Sequence, residues 1–199
     1  MSEPVSGPAG RGHILFLATE DWFFCSHFLS IAQAAIAAGF TASVATRSRD
    51  EALAARIEAA GVTLIPVDHL RSAGGASALA QARDYASIMR ERRPDVVHLI
   101  SARLCGVGGL AARMAGVRRR VFAVTGLGAL GAAKGAKAAA IRRAIGFALA
   151  GPLGGAGARF VFENRDDPGL LGLKLTAGRG IVVGRAGGAT RGGPRARAT

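Results

Sequence analysis

PDVVHLISARLCGVGGLAARMAGVRRRVFAVTGLGALG, residues 94–131, decides the fold. Pro94 ends whatever helix precedes it. Asp95–Ile100 is a short apolar run, as a strand needs when both of its faces are covered. Leu104–Ala115 carries a helical pattern and closes at Gly116, a residue type favoured just past a helix end. Arg120–Thr125 is a second apolar run, followed by Gly126-Leu-Gly128-Ala-Leu-Gly131. Strand, helix and strand in this order predict a parallel crossover.

The same rhythm extends in both directions. Further strands are predicted at His13–Ala18, Thr41–Thr46, Val62–Val67, Arg159–Phe162 and Gly180–Val183. Helices are predicted at Ser26–Ala38, Glu51–Ala60, Ser77–Arg93 and Ala136–Leu149. Ser48-x-x-Glu51 reads as a capping box for the second of these, and Gly61 as its end. The fold class is therefore α/β: a single doubly wound, Rossmann-like parallel sheet over residues 13–183. Residues 1–12 are polar and rich in Gly and Pro, and read as a flexible N-terminus. Residues 184–199, GRAGGATRGGPRARAT, have four arginines, no acid and no apolar periodicity, and read as a disordered basic tail.

Composition narrows the function classes. The chain has 199 residues, half of them apolar, enough for one sizeable core without metal or disulfide support. Two cysteines, Cys25 and Cys105, exclude a disulfide framework and suit a reduced setting. The net charge of +13 suggests anionic partners: phosphates, nucleic acid or an anionic membrane face. GC-rich coding also yields such an Arg-rich, Lys-poor composition, so charge alone chooses no partner. The longest uncharged stretch, Ala144–Ala158, is 15 residues with Pro152 and five glycines, too short to span a bilayer. No metal-ligand spacing, Walker loop or nucleophile elbow is present, which leaves metal hydrolases, P-loop NTPases and serine hydrolases without support.

In a parallel sheet, ligands bind beyond the carboxyl ends of the strands, so the loops there hold the candidates. After the first strand, Glu20 and Asp21 could accept hydrogen bonds from sugar hydroxyls, beside Trp22, Phe23 and Phe24; a packing role is the alternative. His27 could carry a proton or meet a phosphate. Arg103, near a helix start, could hold a phosphate. Gly126 and Gly128, with Lys134 and Lys137 beyond, could admit an anion or a sugar against the backbone. The G-x-G-x-x-G pattern argues weakly for a dinucleotide. It follows the fifth strand, and no acid stands about 20 residues on. Asn164 can bridge a ligand hydroxyl, while Asp166 or Asp167 reads as a helix cap.

Taken together, ILFLATEDWFFCSHFLSIAQAA (Ile14–Ala35), PDVVHL (Pro94–Leu99), GGLAARMAGV (Gly108–Val117), VTGLG (Val124–Gly128) and FENRDD (Phe162–Asp167) resemble the N-terminal half of family-4 glycosyltransferases of the GT-B architecture. The likeness is to the bacterial polysaccharide and O-antigen type. It implies two Rossmann-like domains, the first shaping the acceptor side of a cleft and the second gripping a nucleotide-sugar through spaced glutamates. This sequence covers the first, and the likeness implies that a C-terminal GT-B domain is missing. The sequence departs from the family's pattern at Phe28, Ser30, Arg103, Ala129 and Glu163.

The resemblance implies sugar transfer from a nucleotide-sugar to a lipid-linked or saccharide acceptor. It implies no obligatory metal or other cofactor, no nucleic acid, and a cytoplasmic place with peripheral contact at the inner face of the cell membrane. Substrate-binding roles are expected for Glu20, Asp21, His27, Arg103, Gly126, Gly128 and Asn164, with no catalytic residue assigned. Two alternatives stand beside it. One is a non-catalytic basic module for anionic lipid or nucleic acid, motivated by Lys134, Lys137, Arg142 and Arg143. The other is an inactive truncated remnant.

Overall fold

The computed structural model describes residues 10–67, 75–176 and 178–183. The basic tail and most of the expected flexible N-terminus lie outside these residues. Among the described residues, seven strands form one sheet: β1 (His13–Glu20), β2 (Thr41–Arg47), β3 (Thr63–Pro66), β4 (Val96–Ile100), β5 (Arg119–Val124), β6 (Ala158–Phe162) and β7 (Gly180–Val182). Their order is β3-β2-β1-β4-β5-β6-β7, and every pairing is parallel. The connecting helices are α1 (Asp21–His27), α2 (Leu29–Ala37), α3 (Glu51–Ala59), α4 (Gly75–Arg92), α5 (Ala102–Met114), α6 (Gly128–Ala132), α7 (Ala136–Ala150) and α8 (Asp167–Leu170). This is the predicted doubly wound, Rossmann-like sheet, and each strand lies within two residues of its expected bounds.

Alternation along the strands feeds two cores. Leu15, Leu17, Val97, Leu99, Phe122, Val124, Phe160 and Phe162 pack on one face against residues of α4, α5 and α7. Phe16, Ala18, Val44, Ile100 and Ala123 pack on the other against α1, α2 and α3. Each buried aromatic or leucine contributes about 1.5–3 kcal/mol of transfer free energy. Glycines let the first layer close tightly. A Cβ on Gly108 would stand 2.6 Å from Leu99 Cδ2 and 3.1 Å from Leu17 Cδ1, so α5 rests directly on the sheet.

Two local expectations are corrected. The stretch after the first strand is not a loop: β1 runs to Glu20 and α1 starts at Asp21, with a break at Phe28 (φ −122°, ψ −14°) before α2. Phe24, Cys25 and Phe28 form an apolar helical stripe that drives this earlier start. Ser48 does not cap α3. The Asp50 carboxylate does, accepting from the Ala52 and Leu53 amides at 2.8 and 3.3 Å. Gly61 at φ +78° follows that helix as expected.

Gly146 in α7 faces the Leu171 carbonyl so closely that a Cβ there would collide with backbone. Alanine normally favours a helix interior by about 1 kcal/mol over glycine. Gly146→Ala is instead expected to destabilise the protein by about 1–3 kcal/mol, read from its urea midpoint.

His98 lies mid-strand in β4, stacked on Phe16 (centroids 5.1 Å) and edge-on to Phe28 (5.6 Å). Its Nε2 is buried without a hydrogen-bond partner. Burial lowers its pKa from 6.5 to about 4. The unfolded chain therefore binds the extra proton first as pH falls, and stability drops between pH 6.5 and about 4 at roughly 1.4 kcal/mol per pH unit. His98→Leu is expected to remove this component. Between pH 7 and 5 the wild type should lose about 2 kcal/mol more than the variant in paired denaturation curves.

Candidate functional site

The chain passes outward from β1 through β2 to β3, then returns to place β4 on the other side of β1. Loops diverge there, and a crevice opens outside the carboxyl ends of the strands. Glu20 ends β1, Arg47 ends β2, Arg103 follows β4, Gly126 and Gly128 follow β5, and Asn164 follows β6. Apart from His27, which ends α1, the residues expected to bind substrate therefore stand at one edge of the sheet or in the first turn beyond it. A larger hollow of about 350 Å³, lined by Arg90, Arg93 and Val117, lies at the opposite edge, where the strands begin, away from these residues.

The two carboxylates are committed to structure. Asp21 is 3% exposed. It accepts from the Arg49 amide at 2.9 Å and the Asp50 amide at 3.4 Å, and also from the Trp22 amide at 2.7 Å. It thus ties the start of α1 to the β2–α3 loop, and the expectation that it binds sugar hydroxyls gives way to this staple. Glu20 pairs with Arg47 at 2.9 Å, with side-chain exposures of 31% and 5% respectively. Of the two, only Glu20 keeps an accessible surface. Of the three aromatics beside them, Trp22 is exposed while Phe24 is fully buried.

A cleft of about 140 Å³ is lined by His27, Phe28, Ile31, Thr125, Val161, Glu163 and Val183, among others. It joins the end of α1 to the tips of β5 and β6. The His27 ring stacks on Phe23, with centroids 4.5 Å apart, and Nδ1 lies 3.3 Å from the Phe23 carbonyl. A carbonyl only accepts, so Nδ1 carries the hydrogen and a neutral ring keeps its lone pair on Nε2.

The glycine loop borders this cleft. Gly126 (φ +131°) and Gly128 (φ +53°) occupy backbone regions that side-chain-bearing residues rarely adopt. Asn164 Nδ2 stands 3.7 Å from where a Gly126 Cβ would be, so the two predicted residues meet. Asn164 is oriented by donating to Asp167 Oδ2 at 3.1 Å. Asp166 holds the N-cap position of α8 but makes no side-chain capping bond there, and Asp167, buried, serves Asn164 instead. From the other side, buried Arg142 donates to the carbonyls of Leu130 (2.9 Å) and Ala133 (2.8 Å), pinning the loop to α7.

Arg103 sits apart from the His27 cleft. It is exposed in the first turn of α5 and donates to Gln81 Oε1 of α4 at 3.1 Å. The preceding Ser101 has φ +92°, and its Oγ accepts from the Leu104 amide, which fixes the turn that presents Arg103. Both cysteines are buried free thiols, and burial pushes both pKa values up, so neither is poised as a nucleophile. Sequence reasoning passed over Arg47, Thr125 and Gln81. Arg47 had a visible signal, an arginine closing an otherwise uncharged strand.

Removing Glu20 leaves the Arg47 guanidinium buried and unpaired. Glu20→Ala is expected to cost about 2 kcal/mol, less than for a fully buried pair because Glu20 is part-exposed. The double variant Glu20→Ala/Arg47→Met should recover most of that loss in urea denaturation.

Comparison with known proteins follows the same geometry. Residues 13–151 match the family described as glycosyl transferase 4-like. A glycosyltransferase from Rickettsia africae superposes with a TM-score of 0.62 at 12% identity, covering 87% of this chain and 42% of that one. HepE from Anabaena, solved in complex with UDP and glucose, gives 0.57 at 14% identity, covering 86% and 44%. MurG from Acinetobacter baumannii gives 0.53 at 16% identity, covering 94% and 46%. At these identities the likeness is one of fold, and the chain spans less than half the length of each of these structures. No curated protein matches the sequence.

Proposed function

The chain belongs to the glycosyl transferase 4-like family, and from that premise we propose that it forms the acceptor-side lobe of a GT-B enzyme. In this reading a sugar passes from a nucleotide-sugar to a lipid-linked or saccharide acceptor at the cytoplasmic face of the membrane. The nucleotide-sugar is a substrate, and the reading includes no resident cofactor or metal. The observation that carries it is the cleft at the carboxyl edge, where His27, Thr125 and Glu163 converge beside the Gly126–Asn164 contact.

Transfer forms a bond from an acceptor oxygen to the anomeric carbon. It breaks the bond from that carbon to the diphosphate oxygen, which leaves with the electron pair, and the acceptor hydroxyl gives up its proton to solvent. Positive charge grows on the sugar ring and negative charge on the leaving diphosphate, so fixed dipoles and cations at the site lower the barrier. His27 Nε2 is the free acceptor atom at the cleft and receives a hydrogen bond from an acceptor hydroxyl. Arg103 meets an acceptor phosphate. Gly126 and Gly128 let substrate approach the backbone, and Asn164 donates to or accepts from a sugar hydroxyl. Glu20, already paired with Arg47, offers its exposed oxygen to the same substrate.

The test is a titration of the isotope-labelled chain with a water-soluble short-chain prenyl diphosphate sugar, followed by amide shifts. Shifts are expected around His27, Thr125, Gly126 and Asn164. Arg103→Ala should weaken binding by about tenfold or more, the worth of one charge-assisted hydrogen bond. His27→Ala should lose the shifts at Thr125. A chain that responds to a nucleotide-sugar and not to the acceptor would reverse the assignment of lobes.

A further inference from the structure

Arg103 is an exposed side chain that the fold holds at both ends. At its backbone end, Ser101 stands at φ +92°, a region costly for a residue with a side chain, and the Ser101 amide donates to the Ala123 carbonyl at 3.0 Å. The Ser101 hydroxyl accepts from the Leu104 amide at 3.4 Å, which closes the turn from β4 into α5. At its far end, the guanidinium donates from Nη2 to Gln81 Oε1 at 3.1 Å. A surface arginine otherwise keeps many rotamers, and holding it in one costs side-chain entropy.

Gln81 is an unusual partner for a surface charge. It is 2% exposed and sits near the start of α4, on the buried stripe that also carries Ala82, Tyr85, Ala86 and Met89. Burial raises the pKa of the Tyr85 hydroxyl, and the nearby Arg103 charge opposes that rise, which places the guanidinium against this side of α4. A buried amide is costly unless paired, so a stripe serving the core alone would carry a hydrocarbon at this position. The bond to Arg103 adds little to the fold, because water can replace an exposed partner. Its chemistry suits another purpose. An amide oxygen orients a guanidinium without setting a negative charge against it, whereas a carboxylate would orient it and offset its charge. Held in this way, Arg103 meets an anion already ordered, and the cost of ordering it does not fall on binding.

We propose that Gln81 is the positioning residue of Arg103: its buried amide oxygen holds the guanidinium at the carboxyl edge, ready for an acceptor phosphate, without offsetting its charge. The inference rests on the reading of Arg103 given above and adds to it a residue of α4 that acts only through Arg103.

The test is a double-mutant cycle on the full chain, with the water-soluble short-chain prenyl diphosphate sugar as probe and dissociation constants taken from the amide shifts. Gln81→Met keeps the volume and removes the acceptor. It should weaken binding by about three- to tenfold and should have no effect in the Arg103→Ala background. It should also move the Arg103 Nε–Hε signal towards those of the mobile arginines. Gln81→Glu keeps an acceptor, so that signal should stay in place, yet binding should fall by about tenfold because a carboxylate now offsets the charge. Urea midpoints establish that each variant is folded, and Gln81→Leu serves as the second variant where Gln81→Met does not fold. Three results overturn the proposal and leave the reading of Arg103 standing: Gln81→Met weakens binding equally with and without Arg103, it changes nothing while Arg103→Ala weakens binding, or Gln81→Glu binds as tightly as the wild type. If the wild type does not bind the probe, or Arg103→Ala binds it as the wild type does, the reading of Arg103 fails and the proposal with it.

Discussion

The sheet has to be dry on both faces, and the rest of the molecule follows from that constraint. In β1, Leu15 and Leu17 point into one core while Phe16 and Ala18 point into the other. A strand with no wet face has no room for charge along its middle, so ionisable groups are driven to its ends. The exception is informative: His98, mid-strand between Phe16 and Phe28, is kept neutral by its burial. Elsewhere the rule holds, with Glu20 and Arg47 as the last residues of β1 and β2. In a parallel sheet the carboxyl ends all lie together, so this sorting alone concentrates polar chemistry along one edge.

Concentration is not the same as availability. Some groups at that edge are consumed by the fold: Asp21 by three backbone amides, Arg47 by Glu20, Asp167 by Asn164. Others are positioned by such interactions and left with a free face. The Phe23 carbonyl takes His27 Nδ1, which leaves Nε2 available. Asp167 takes one hydrogen of Asn164 and leaves its carbonyl oxygen. Arg142 fixes the glycine loop from behind, so its backbone can be approached from the cleft side. Each available group therefore depends on a buried partner that contributes nothing to recognition itself.

This division explains what could be read from residues alone. Inner strands such as β1 and β4 were legible because burial on both faces leaves continuous apolar runs, and these differ from helical periodicity over even a few residues. The α1 start was not, because Trp22, Phe23 and Phe24 in succession hide the four-residue spacing of Phe24 and Phe28. The edge on which the site lies was legible from the order of strands and helices. The occupation of Asp21 was not, because its partners at Arg49 and Asp50 are backbone amides 28 and 29 residues away, and a backbone amide leaves no mark in residue type. Arg142 was open to a better reading: it stands four residues from Ala138 and from Gly146, on the register that packs inward.

Helix α7 ties the segment beyond the glycine loop to the core behind it. It begins at Ala136, just past the glycine loop at the carboxyl edge, and runs back to the Gly151 turn before β6. Its inner side holds that loop through Arg142 and seats Leu171 against Gly146. The same 15-residue element thus joins the segment beyond the glycine loop to the packing of Leu171, so that a change at either inner contact is felt at the other.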